Sequence, residues 1–174
     1  MFYNTIAMKL NHGTDYVSAM SIFTKGINLS YTRWFNDFGR GFYTSTSLEK
    51  AKARARYKTA KAEKPPCVVC FDFDYKDALK FITEYNDKEC AFFCAKNRFQ
   101  INEHNNVITS GKIADSNIIK LGKKLKKMNY NFTPDDVAYI INPNDKVKQY
   151  AFHTVDSLTF LNAYSILAET GDGK

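Results

Sequence analysis

An α+β fold with mostly antiparallel strands follows from three features of the chain. Stretches with strand-like alternation and stretches with helical spacing are interspersed, without the regular strand-helix-strand rhythm of a parallel sheet. No internal repeat, low-complexity tract or Pro- and Gly-rich linker divides the 174 residues, so a single domain over 1–174 is expected. Hydrophobic residues make up 44% of the chain and charged residues 25%, which suits a core that needs neither disulfides nor structural metal.

The elements are expected in this order. Ile6 to Leu10 alternates into Asn11-His12-Gly13-Thr14, a first strand ending at a His-Gly-Thr turn. Asp15 to Lys25 is a short helix with Val17, Met20 and Ile22 or Phe23 inward and Gly26 as its stop. Ile27 to Arg40 is an irregular covering loop with embedded aromatics, among them Tyr31, Trp34, Phe35 and Phe38. After Phe42-Tyr43-Thr44, Thr46 and Glu49 have capping-box spacing and open a helix with Leu48, Ala51, Ala55, Thr59 and Ala62 on one face. Pro65-Pro66 ends it, and Cys67 to Phe73 is an apolar strand.

Glu84 to Arg98 then reads as a helix with a large aromatic face, and a short strand surrounds Val107 and Ile108. Ser116 begins a helix with Ile118, Leu121, Leu125 and Met128 inward. Thr133-Pro134-Asp135-Asp136 starts another through Ile141, with Pro at the first helical position and acids at the positive end of the dipole. Lys148 to Thr154 alternates, placing Gln149, Ala151 and His153 on one face of a strand. Thr154 or Asp156 caps a last helix carrying Leu158 and Leu161, and a disordered tail from Glu169 is expected.

The net charge of +7 is concentrated in two clusters. Lys50, Lys52, Arg54, Arg56, Lys58, Lys61 and Lys64 form one, and Lys120, Lys123, Lys124, Lys126 and Lys127 the other. Such clusters attract polyanions, nucleic acid above all, although two solvated helix faces would show the same pattern. The first ten residues lack a secretory pattern, and there is no run of about 18 apolar residues, so a cytoplasmic protein without a membrane span is expected.

Cys67-x-x-Cys70 and Cys90-x-x-x-Cys94 approach zinc-ligand spacing. Yet residues three apart on a strand face opposite sides, and Cys90 and Cys94 beside Phe92 and Phe93 read as buried helix positions. Free thiols and no metal are expected.

Asp37-Phe-Gly-Arg-Gly-Phe-Tyr-Thr-Ser45 is the stretch richest in site chemistry. Two glycines bracket Arg40 and deliver Phe42 and Tyr43 to a strand, a pattern that allows close backbone approach to a ligand and stacking on a ring. Joined to His12-Gly13-Thr14 upstream and Gln149-Tyr150-Ala151-Phe152 downstream, it resembles ADP-ribosyltransferases of the diphtheria-toxin and poly(ADP-ribose)-polymerase type, whose three sites supply a His, a Tyr and usually a Glu. The chain also looks like an uncharacterised bacterial branch, through Asn97-Arg98, Gly111 to Asp115 and Gln149 to Thr154.

That resemblance implies two small, mostly antiparallel sheets packed around an NAD cleft and flanked by helices. It also implies cleavage of NAD between nicotinamide and ribose, with transfer of ADP-ribose to a target. His12 would hydrogen-bond the adenosine-side ribose, Gly13 hold the nicotinamide carboxamide by its backbone, Thr14 support the turn, and Tyr43 stack on the nicotinamide ring. Arg40, by charge and proximity, is a candidate for the diphosphate, with Asp37 beside it.

Gln149 stands where the group usually has Glu. It can still hydrogen-bond a ribose hydroxyl but brings no negative charge to the developing cation. This argues for mono-ADP-ribosylation and leaves the acid/base group open among Asp37, Asp115 and His153. The expected function is a mono-ADP-ribosyltransferase, in a toxin or phage-defence role with an antitoxin as possible partner. Its target would be single-stranded nucleic acid or a protein. A catalytically weak NAD-binding module and a plain nucleic-acid binder are the competing readings. His12, Tyr43, Gln149 and His153 can each also be structural, and Arg98 is expected to pair with an acid.

Overall fold

The structure, a computed structural model, describes residues 7–61, 64–100, 102–114 and 118–168, with the side chain of residue 119 excepted. The strands are β1 (Met8–Asp15), β2 (Phe42–Ser45), β3 (Pro66–Phe73), β4 (Ile82–Glu84), β5 (Ile108–Lys112), β6 (Lys148–Phe152) and β7 (Leu161–Ala168). The helices are α1 (Tyr16–Lys25), α2 (Leu48–Thr59), α3 (Tyr75–Ala78), α4 (Asp87–Phe99), α5 (Ile118–Lys127) and α6 (Pro134–Val137). The fold is α+β with mixed strand pairing. Two compact units are each assembled from segments distant in sequence.

The first unit takes the described residues before Leu29, then Tyr43–Lys80, then those from Val155 onward. Its strands are all antiparallel. β1 pairs with β3 along its whole length, from Met8↔Phe73 to Asp15↔Pro66, and with β2 at Asn11↔Ser45. β3 pairs on its other side with β7, so its apolar run is buried almost throughout. His12-Gly13-Thr14 therefore lies inside a strand, not at a turn, because β3 continues the ladder as far as Pro66.

Helix α2 lies on this sheet through Ala51, Ala55 and Thr59, as its small-residue spacing predicts, and Ala62 falls outside the described residues. The approach is so close that a Cβ on Gly13 would collide with the Ala51 carbonyl oxygen and stand 2.9 Å from the Ala55 nitrogen. The helix starts one residue later than expected. Ser47, not Thr46, caps it by accepting the Lys50 N–H, and Glu49 pairs with Lys52 at 3.2 Å.

Helix α1 is capped by Asp15 and stops at Gly26, but it turns Ala19 inward. Val17 and Met20, expected inside, are exposed, and of the alternatives Ile22 and Phe23 it is Ile22 that is half-buried. The expected last helix is a short 3-10 turn, Asp156–Phe160, running into β7, since Leu161–Ala168 finds hydrogen-bond partners along β3.

The second unit takes Leu29–Phe42 and Phe81–Thr154. β5 pairs in parallel with β4 and antiparallel with β6, from Ile108↔Phe152 to Lys112↔Lys148. Helix α4 opens on a capping box between Asn86 and Glu89, leaving Glu84 to β4. Helix α5 buries Leu121 and Leu125 and turns its lysines out, while its expected start at Ser116 falls outside the described residues. Thr133 and Asp136 form a capping box for α6, which tightens into a 3-10 turn ending at Ile140. Gln149 to Phe152 are all buried, so the alternation of β6 does not separate an inner face from an outer one.

Candidate functional site

The sequence-derived site residues fall into two hydrogen-bonded groups, one in each unit. In the first, His12 on β1 reaches across to β2, where its Nδ1 donates to the Tyr43 carbonyl oxygen at 2.6 Å. This bond fixes the tautomer and leaves Nε2 as an acceptor. Desolvation dominates the ring's titration and Lys58 and Arg54 add to it. Opposed only in part by the Tyr43 carbonyl, they lower the His12 pKa to about 4. His12 is therefore neutral at physiological pH.

Thr14 is fully buried, and its hydroxyl accepts from Lys58 Nζ at 2.6 Å. The same ammonium stands 3.8 Å from Asp15, which accepts the Ser18 N–H at 3.0 Å and the Ser18 hydroxyl at 2.7 Å. Burial raises the Asp15 pKa, but these donors and Lys58 outweigh it and hold the carboxyl below its ordinary value. His12-Gly13-Thr14 is thus fixed on three counts, by the β3 ladder, by α2 and by Lys58.

In the second unit the residues converge on the Asp37 to Gly41 loop. Arg98 Nε binds one carboxylate oxygen of Asp37, and Gln149 Nε2 donates to the other at 2.9 Å and to the Lys112 carbonyl at 3.4 Å. Asn97 Nδ2 donates to the Asp37 carbonyl at 3.2 Å, and His104 Nε2 to the Phe38 carbonyl at 3.0 Å. His153 Nδ1 donates to the Arg40 carbonyl. The loop glycines serve this clamp. Gly39 takes φ +76 against Asn97 and His104, and a Cβ on Gly41 would stand 2.9 Å from His153 Nδ1.

The tautomers follow from the partners. His104 Nδ1 accepts the Asn106 N–H at 3.3 Å, and His153 Nε2 accepts the Thr109 hydroxyl at 2.9 Å. Asn106 Nδ2 in turn donates to Thr109 Oγ1 and to Tyr85 Oη. Desolvation, with a smaller push from His104 and against the Arg40 carbonyl, lowers the His153 pKa to about 4. Both nitrogens of His153 and both oxygens of Asp37 are already engaged, so in this arrangement these two acid/base candidates are clamps on the loop. Asp115, the third, lies outside the described residues.

What the clamp presents is Arg40. Its side chain is exposed, its guanidinium carbon lies 5.3 Å from the Trp34 ring centroid, and its Nε donates to Thr32 Oγ1 at 3.4 Å. A cleft of about 480 Å³ opens here, lined by Thr32, Trp34, Arg40, Glu103, His104 and His153. A guanidinium beside an aromatic face gives this cleft one group suited to an anion, with the Glu103 carboxylate also on its lining. His104 was not singled out from the sequence, yet it is one of only three histidines, and that scarcity was the available signal.

The cysteines are free and buried. Cys67 and Cys70 lie on β3, and Cys90 and Cys94 on α4 have Sγ atoms 4.0 Å apart, the packing their context implied. Burial, and then the hydrogen bond to Cys90, push the Cys94 thiol well up, so it stays protonated. Among the described residues no helix is long and apolar enough to cross a membrane.

An α+β chain whose glycine-arginine loop is clamped by its own Arg, Gln and His side chains is the class these features define. The family model described as "Protein of unknown function (DUF3990)" matches residues 8–163, and the chain belongs to that family. No curated protein matches the chain significantly.

Proposed function

We propose that the chain is a mono-ADP-ribosyltransferase that takes NAD as co-substrate and modifies a macromolecular target, nucleic acid or protein, in a toxin or phage-defence setting. An antitoxin partner and the fold of that group, two small sheets about an NAD cleft, are parts of the proposal. The observation that carries it is the hydrogen bond from His12 to the Tyr43 carbonyl, which couples two of the three signature positions on paired strands. A neutral imidazole at His12 suits the polar surface of a ribose.

In this reading Tyr43 stacks on nicotinamide, the Gly13 backbone holds the carboxamide, and Thr14, pinned by Lys58, keeps that strand segment rigid. Arg40, stacked near Trp34, takes the diphosphate. The nicotinamide–ribose bond breaks with its electron pair leaving on nicotinamide. The target nucleophile then forms the new bond to the ribose carbon and gives up its proton to solvent water. Gln149 supports the ribose through its amide oxygen alone, and the missing charge costs about two to three powers of ten in rate.

A second reading, an NAD-binding module with little or no transfer, is favoured by one observation, that the Gln149 amide nitrogen is committed to Asp37 and Lys112. Incubation of the protein with adenylate-labelled NAD and cell lysate separates the two. Label on a nuclease- or protease-sensitive product, lost in Tyr43→Ala and His12→Ala, supports transfer. Retained NAD binding with no label transfer and no free nicotinamide favours the binding module.

A further inference from the structure

A second concavity, in the same unit as the clamped loop, has different chemistry from the Arg40 cleft. It has a volume of about 390 Å³, within the range of ligand pockets (roughly 300–1,000 Å³). Its walls are Phe35, the Arg98-Phe99 end of α4, and Ile118, Lys123 and Lys126 of α5. The lining is aromatic and aliphatic, and every charge on it is positive.

Phe35 is the feature that asks for an explanation. It holds φ +64, a left-handed backbone that a bulky side chain seldom adopts, and the residue is 57% exposed. An apolar ring is thus kept out of the core by a strained backbone. The strain is sustained locally. Asn36 Nδ2 donates to the Arg33 carbonyl, Gly39 N–H to the Asn36 carbonyl, and Asp37 is held by Arg98, which itself lines the groove. Lys123 and Lys126, one turn apart on α5, are exposed at the rim.

We propose that this groove binds single-stranded nucleic acid, with bases stacking on Phe35 and Phe99 and the phosphates held by Lys123 and Lys126. The exposed Phe35 ring, with the half-buried Phe99 ring beside it in the lining, supplies stacking that any base accepts, and the lysines follow the backbone. A duplex hides the base faces that Phe35 would meet, so the single strand is the matching form. The inference deepens the transferase reading by naming its target class, and it rests on that reading only for calling the strand a target. Binding itself is measured without NAD.

The experiment is fluorescence anisotropy with the whole chain and labelled oligothymidylate or oligouridylate of about ten nucleotides, across about 50 to 200 mM salt. Phe35→Asn keeps a residue that tolerates the left-handed backbone while removing the ring, and circular dichroism reports whether the fold is kept. It is expected to weaken binding about 5- to 100-fold with little change in salt slope. Lys123→Gln with Lys126→Gln is expected to lower the slope by about two. Arg54→Gln with Arg56→Gln, on α2, is expected to leave Phe35-dependent binding in place.

Binding that is indifferent to Phe35, stronger for duplex than for single strand, or lost only with the α2 variants would overturn the proposal. So would affinity confined to acidic proteins. Strand binding without any NAD chemistry would instead uphold the groove and defeat the transferase reading.

Discussion

Gln149 carries more of this protein's interpretation than any other residue. Its position suggests a weakened catalytic glutamate, yet its amide nitrogen donates to a buried Asp37 carboxylate that is also held by Arg98. Gln149→Glu therefore replaces a donor by a second carboxylate, and like charges at hydrogen-bond distance cannot both ionise. The substitution is expected to destabilise the fold by about 1–3 kcal/mol, read as a lower urea midpoint, and not to raise NAD turnover. A gain in turnover at unchanged stability would show that Asp37 does not hold the Gln149 amide nitrogen.

The histidines offer a second test at this scale. His12 and His153 titrate at about 4 in the folded chain, against 6.5 as their ordinary value. Between those values the unfolded chain binds protons that the folded chain refuses, so stability rises with pH in that window. Their contribution is complete above about pH 6.5 and is lost as pH falls towards 4, at about 1 kcal/mol per pH unit for each histidine. Urea midpoints measured from pH 7 down to 4 check this, and a flat profile would contradict desolvation of the two half-buried histidines.

Among the elements, β1 and α2 show what the sequence made legible and what it hid. The alanine spacing of α2 announced close packing on a sheet, and the packing is there. The glycine that allows it, Gly13, was read as a ligand-facing backbone because it sits between His12 and Thr14. The reason it must be glycine is Ala51. Gly13→Ala is expected to cost about 1–3 kcal/mol or more by forcing α2 away, measured by chemical denaturation. A neutral result would mean that the helix can lift off β1 freely.

The loop glycines repeat the lesson. Gly39 and Gly41 admit the protein's own Asn97, His104 and His153 side chains. Local spacing cannot reveal which partner a glycine accommodates when that partner is more than fifty residues away in the chain. For the same reason the helix expected from Thr154 or Asp156 through Leu158 and Leu161 runs past its 3-10 turn into the start of β7, because only the long-range pairing with β3 settles the strand. The pairing of Arg98 with an acid and the helix start at Thr133 were readable because each rests on short-range chemistry or on charge alone.

For the whole molecule, composition pointed to an α+β chain with two basic clusters, and the structure divides them between the two units. Lys58 of the first cluster is engaged on Thr14 and Asp15, and Lys124 of the second on Asp136, so neither cluster is simply a solvated face. The proposed activity is breakage of the nicotinamide–ribose bond of NAD. Its most direct test is free nicotinamide released from NAD by the purified protein, with and without single-stranded nucleic acid or lysate as acceptor. Release is expected to rise with acceptor and to fall at least about tenfold in His12→Ala and in Tyr43→Ala. No release under any of these conditions, together with no detectable NAD binding, would contradict it.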